Sequence, residues 1–155
     1  ETPWCHLRFG AYVESLLRLD LEYNSAWVIN ARRSSHVNVP DISEMVANRI
    51  RADGVTAWVC AADHQAYTLI KDLEKYGIRV PEDCSVTGFD GIEVPAGLPP
   101  LTTVRVPYEE MGISAVIRLV GRIQDNSAPR RHNLVAGRLV VGQTTAPARH
   151  GGFVA

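Results

Sequence analysis

One carboxylate stands where an open α/β sheet would use it. Asp63 follows the apolar run Val55–Ala61 and precedes a helical pattern that begins at His64. It therefore lies at the carboxyl end of a strand and at the amino end of a helix, the place where such sheets meet their ligands. A carboxylate there can accept from two ligand hydroxyls. It can also cap the helix, a role worth about 1 kcal/mol. The two roles are compatible, one oxygen capping while the other faces outward. Arg8, near the start of the first helical stretch, is not favoured there by the helix dipole. Its fork of N–H donors could serve the same mouth, and a solvated surface arginine fits the sequence equally well. Trp4, placed before that helix in an irregular segment, is a candidate for stacking on a sugar ring.

Other chemistry finds little support. Cys5 and His6 are adjacent, which does not make a nucleophile–base pair. There is no G-x-S-x-G elbow, G-x-G-x-x-G loop, phosphate-binding P-loop or H-E-x-x-H helix in the sequence. No catalytic role, cofactor or metal is expected. The five histidines, His6, His36, His64, His132 and His150, fall mostly in loops or at helix starts and read as surface residues. Three cysteines at wide spacing, Cys5, Cys60 and Cys84, fit neither a disulfide framework nor a zinc site. Cys60 and Cys84 lie in apolar runs and read as buried, reduced thiols, which points to the cytoplasm.

The bulk composition restricts the class further. Sixteen basic and seventeen acidic side chains give a formal charge of −1, unlike the basic surface of a nucleic-acid binder. With 46% hydrophobic and 21% charged residues in 155, the chain can bury a core. No run approaches the roughly 18 apolar residues that span a bilayer, so no membrane association is expected.

Helical and strand-like segments alternate along the chain. Tyr12, Val13, Leu16, Leu17 and Leu19 give the stretch Arg8–Asp20 helical periodicity. Ser25–Ile29 reads as a short buried strand. Asp41 and Glu44 resemble a capping box for a helix striped by Met45, Val46 and Ile50 and closed at Gly54. Val55–Ala61 and Ser85–Phe89 are further strands, with a helix from His64 to Tyr76 between them and Gly77 ending it. Pro107 suits the first turn of a helix reaching about Gln124, and a last strand covers about Leu134–Val141. Strands apolar on both faces and separated by helices predict an α/β fold, a parallel sheet covered by helices.

Three segments, in order and at the right spacing, carry a family signature. Gly77-Ile-Arg-Val-Pro-Glu-Asp-Cys-Ser-Val-Thr-Gly-Phe-Asp90 resembles the "G-I-x-V-P-x-D-x-S-V-x-G-F-D" stretch of the LacI/GalR repressors. Pro100-Leu-Thr-Thr-Val104 is similar to that family's crossover, and Pro107-Tyr-Glu-Glu-Met-Gly112 to the helix after it. With the Asp63 helix, the resemblance runs from about Arg8 to Ala146.

The resemblance implies one lobe, the C-terminal subdomain, of a periplasmic-binding-protein-like type I fold. That fold closes on a small-molecule effector, usually a sugar. Arg8 falls where the family clamps effector hydroxyls, Asp63 where an aspartate accepts from the effector, and Tyr108 where an aromatic lines the pocket. The implied division is residues 1–104 for the lobe, 105–133 for a crossover helix and loop packing with an N-terminal lobe, 134–146 for a closing strand and 147–155 for a flexible tail. Against the family the sequence starts late, without the DNA-binding head, nearly all of the first lobe and the second lobe's opening strand. The implied partners are the effector, a second copy in a homodimer, and operator DNA reached only through that head. An exported sugar-binding protein of a transporter shares the fold and is the alternative. Ala11, Ala62 and Gly142 depart from the family's frequent glycine, asparagine and arginine.

Overall fold

In the computed structural model, residues 3–29, 42–127, 129 and 131–148 are described. Helix α1 (Pro3–Arg18) leads to a 3-10 turn at Ser25–Trp27. There follow α2 (Ile42–Ala52), β1 (Ala57–Val59), α3 (Asp63–Lys75), β2 (Ser85–Asp90), β3 (Thr102–Arg105), α4 (Tyr108–Gln124) and β4 (Arg138–Val140). The strands form one sheet in the order β1-β2-β3-β4. β1, β2 and β3 run parallel, with Trp58 beside Val86 and Gly88 beside Thr103. β4 returns antiparallel along β3, so the expected parallel sheet ends in a reversed strand. Among the described residues no helix is long and apolar enough to cross a membrane.

The core lies between α2, α3 and the sheet. α3 turns Ala66, Tyr67, Leu69, Ile70 and Leu73 inward at helical spacing, where they join Val46 and Ala47 of α2 and Val86 of β2. Full burial of a side chain such as Leu73 or Val86 stabilises by about 1.5–3 kcal/mol. Gly77, at φ +67°, ends α3 as expected: its N–H and that of Ile78 bond back to the carbonyls of Glu74 and Leu73. Cys60 and Cys84 are both buried in this core.

Two local expectations are corrected. Ser25–Ile29 is not a strand. The Asn24 side chain accepts from the Ala26 N–H at 2.9 Å, and the N–H groups of Trp27 and Val28 bond to the carbonyls of Asn24 and Ser25. These local bonds satisfy the backbone where no described strand lies alongside, and Trp27 Nε1 anchors the turn to Asp53 at 3.2 Å. Nor is Asp63 the cap of α3; Ala62 holds that position without a side-chain bond, and Asp63 is the first helical residue. The Asp41 cap lies outside the described residues, as does the tail beyond Ala148.

α4 buries none of its side chains. Met111, Ile113, Val116, Ile117, Leu119, Val120 and Ile123 all stand exposed along it.

Candidate functional site

The carboxyl ends of the parallel strands converge beside α1 and the start of α4. Arg8 reaches this place from α1. Its Nη1 donates to the Ala61 carbonyl just past β1, and its Nη2 lies 3.3 Å from Asp90 Oδ1 at the end of β2. The guanidinium is also stacked, 3.7 Å from the centroid of the Phe89 ring and 4.5 Å from that of Trp4. Two rings, one carbonyl and one carboxylate thus fix the fork in place, leaving its other N–H groups for a ligand. The Arg8 and Asp90 side chains keep 27% and 21% of their surface accessible, enough to be reached without full solvation.

Asp90 is held in a conformation that its residue type seldom takes. Its φ is +128°, and Gly91 follows at +75°. A side chain at Gly91 would strike Arg105, its Cβ only 2.7 Å from the Arg105 Cα. The Asp90 carbonyl accepts from the Val106 N–H at 3.1 Å, tying this turn to the joint between β3 and α4. Strain of this kind on a non-glycine residue costs on the order of 1–3 kcal/mol and persists only where the surroundings impose it.

Asp63 is bonded to that turn. It is 1% exposed. Oδ2 accepts from the N–H groups of Gly91 and Ile92 at 2.7 and 2.9 Å, and Oδ1 from the Thr103 hydroxyl at 2.6 Å. Gly88 makes room for it, because a Cβ there would stand 2.3 Å from Asp63 Oδ1. Both Asp63 oxygens are occupied by donors of the chain itself.

Tyr108, the first residue of α4, completes the rim and is 62% exposed. Desolvation and then the negative charge of Asp90 push its hydroxyl above the usual tyrosine value, while Arg8 opposes the shift. A hollow of about 470 Å³ adjoins it, lined by Val106, Pro107, Glu109, Glu110 and Ile113 besides Tyr108. Trp4 belongs to α1 rather than to an irregular segment, and is 41% exposed, with Arg8 near its ring.

Of the three residues singled out from the sequence, the structure brings Arg8 and Tyr108 together and sets Asp63 behind them. The residue that sequence reasoning passed over is Asp90. A signal was present: an aspartate directly after a strand and directly before a glycine, within the Gly88-Phe-Asp-Gly91 run. Among the described residues there is no cluster of three metal-ligating side chains.

The family model described as periplasmic binding protein-like domain matches residues 1–145. The chain belongs to that family, in its LacI/GalR branch. The HTH-type transcriptional repressor PurR of Photobacterium profundum is 31% identical over 84% of this chain and 39% of its own length. A sugar-binding transcriptional regulator of the LacI family from Escherichia coli, solved in complex with phosphate, superposes with a TM-score of 0.73. It is 27% identical and covers 95% of this chain and 52% of that one. A LacI-family transcriptional regulator from Enterococcus faecium with bound ribose gives a TM-score of 0.60 at 27% identity, over 69% of this chain and 40% of that one. The chain thus spans about two fifths of the curated repressor's length. In this LacI/GalR setting the departure at Gly142 has a physical reason: a Cβ there would lie 2.2 Å from the Pro100 carbonyl oxygen.

Proposed function

We propose that this chain is the effector-sensing part of a LacI/GalR-type transcription regulator and carries no catalytic activity. Arg8 and Asp90 meet the hydroxyl groups of a small, neutral ligand, and Tyr108 and Trp4 border it. The observation that supports this most is the Arg8–Asp90 pair itself, 3.3 Å apart beyond the carboxyl ends of the strands. It sets cationic donors beside an anionic acceptor, which suits neighbouring hydroxyls that both give and take hydrogen bonds. An anionic ligand would face Asp90, Glu109 and Glu110 as well. Asp63 serves the site from behind, its oxygens being engaged within the chain.

The resemblance of most of the chain to repressors favours a regulator over the exported binding protein. On this reading DNA is bound through a head outside these residues, and the protein works in the cytoplasm. Residues 1–104 form one lobe, and α4, within the segment 105–133, packs against a second. The apolar side chains exposed along α4 support that division. Effector binding then shifts the balance between open and closed arrangements by its differential affinity.

Ribose, bound by the Enterococcus faecium relative, heads the calorimetric panel that tests this, followed by other pentoses and hexoses. The whole regulator should bind one of them, and Asp90→Asn and Arg8→Lys should each weaken that binding at least tenfold. Undiminished binding by both variants would place the effector elsewhere. Sedimentation of the 155-residue chain should show association that increases with concentration and falls when Ile117 is changed to Glu; a persistent monomer would argue against a covered α4.

A further inference from the structure

Asp63 touches three separate parts of the molecule. It begins α3, accepts from Thr103 in β3, and accepts from the two amides that follow Asp90. Between these points sits the one described non-glycine residue of the site with a positive φ, and it is the acceptor that faces Arg8. A carboxylate buried to 1% exposure with every partner supplied by the chain gains nothing from a ligand. Its bonds instead fix the direction in which the 90–92 turn leaves the sheet. Gly88 and Gly91 are the steric counterparts of those bonds, since a Cβ at either would meet Asp63 or Arg105 at 2.3 or 2.7 Å.

We infer that Asp63 is a positioning residue, which holds the strained Asp90 turn so that the Asp90 carboxylate faces Arg8 and Tyr108, and ties that turn to β3. The inference rests on the reading of Arg8 and Asp90 as the effector contacts, but its structural content does not depend on which effector binds. Removing the brace lets the 90–92 turn relax toward ordinary backbone angles and carries the Asp90 carboxylate away from the Tyr108 hydroxyl.

That movement is readable without any ligand. Tyrosine labelled with ¹³C at Cζ reports the titration of Tyr108 by NMR, assigned with Tyr108→Phe. The groups acting on Tyr108 are Asp90, Asp63 and, in the opposite sense, Arg8, with Glu109 and Glu110 beside it on α4. Asp63→Asn removes the charge of Asp63 but keeps the brace: its amide oxygen accepts from Gly91 and Ile92, and its NH₂ donates to the Thr103 hydroxyl. Asp63→Ala removes both.

The titration midpoint of Tyr108 should therefore fall only slightly in Asp63→Asn, by the loss of the Asp63 charge alone. In Asp63→Ala it should fall clearly further toward the ordinary tyrosine value near 10, because the influence of Asp90 is lost together with the Asp63 charge. Equal shifts in the Asn and Ala variants would mean that Asp63 acts through its charge alone, and would overturn the proposal. So would an unmoved midpoint in Asp63→Ala. Thr144→Val, which disrupts a buried hydrogen-bonded site near the start of β2, controls for general destabilisation. It should lower the melting temperature and leave Tyr108 in place. Should Asp63→Ala not fold, Thr103→Val withdraws one donor instead, and an unmoved Tyr108 there would overturn the proposal equally. Failure of every sugar to bind would count against the proposed function and leave this result as it stands.

Discussion

Replacing Arg8 by alanine tests the site as a physical object. The guanidinium makes four contacts that alanine cannot: two aromatic faces, the Ala61 carbonyl and the Asp90 carboxylate. Each stacked ring contributes about 0.5–1 kcal/mol at a partly exposed site. The bond from the charged donor to the Ala61 carbonyl, discounted because it is exposed to solvent, contributes about 1 kcal/mol. The ion pair, discounted because both side chains keep some solvent access, contributes about 1 kcal/mol at most. The expected loss on Arg8→Ala is therefore about 3 kcal/mol, measured by urea unfolding followed by circular dichroism. About 0.5 M salt should remove only the ionic third of it, because stacking and the carbonyl bond are not screened in the same way. Arg8→Lys should recover less than half, since an ammonium cannot present the planar fork. A loss below about 1 kcal/mol at an unchanged denaturant slope would show that the stacked arrangement does not form in solution, and Arg8 would then be an ordinary solvated arginine.

The same geometry sets three further outcomes. Asp90→Gly relieves the backbone strain while deleting the ion pair, so stability should change by less than about 1 kcal/mol even as effector binding is lost; a loss above about 2 kcal/mol would deny the strain. Burial pushes the Cys60 and Cys84 thiols up to about 12, so both should resist thiol reagents at about pH 8 until the chain unfolds, whereas rapid modification in the native state would contradict their placement. Because the folded state holds these protons more tightly, the stability they contribute is intact below the unfolded value near 8.5. It falls as pH rises from there toward about 12, by about 1.4 kcal/mol per pH unit per thiol, and Cys84→Ala should flatten that slope in a pH series of urea melts. Gly142→Ala forces a Cβ against the Pro100 carbonyl and should cost about 1–3 kcal/mol by the same melts, while a neutral result would mean that the two segments can separate freely.

How far the sequence foretold this site depended on the range of the forces involved. The stripe of α3 and its stop at Gly77 were legible because both follow from local periodicity and from the one residue type tolerant of positive φ. Ser25–Ile29 was misread because an apolar run becomes a strand only where a neighbour offers a ladder, and Asn24 provided a nearer solution. Asp63 was picked out for its place between a strand and a helix, yet its partners, Gly91, Ile92 and Thr103, lie 28 to 40 residues away, and no spacing rule reveals them. Asp90 was passed over for the same reason. Its importance comes from Arg8, 82 residues earlier, and from a backbone angle that only the folded chain displays.

The threonines at the start of β3 and near the chain's end have a consequence of their own. Thr144 donates to the Val86 carbonyl and accepts from the Thr102 amide, Thr102 and Thr145 share a hydroxyl–hydroxyl bond, and Ser85 joins Ala146. This hydroxyl clasp closes the amino ends of β2 and β3, whereas Arg8, Asp90 and Tyr108 gather beyond the carboxyl ends, roughly 17 Å away along a strand. If the proposed site is right, recognition and closure are allotted to opposite poles of one sheet. On the proposed reading, a lineage or a directed library can exchange Trp4 and Tyr108 in search of new ligands while the hydroxyl bonds of the far pole stay in place. On that reading, the layout of this sheet lets specificity drift faster than architecture.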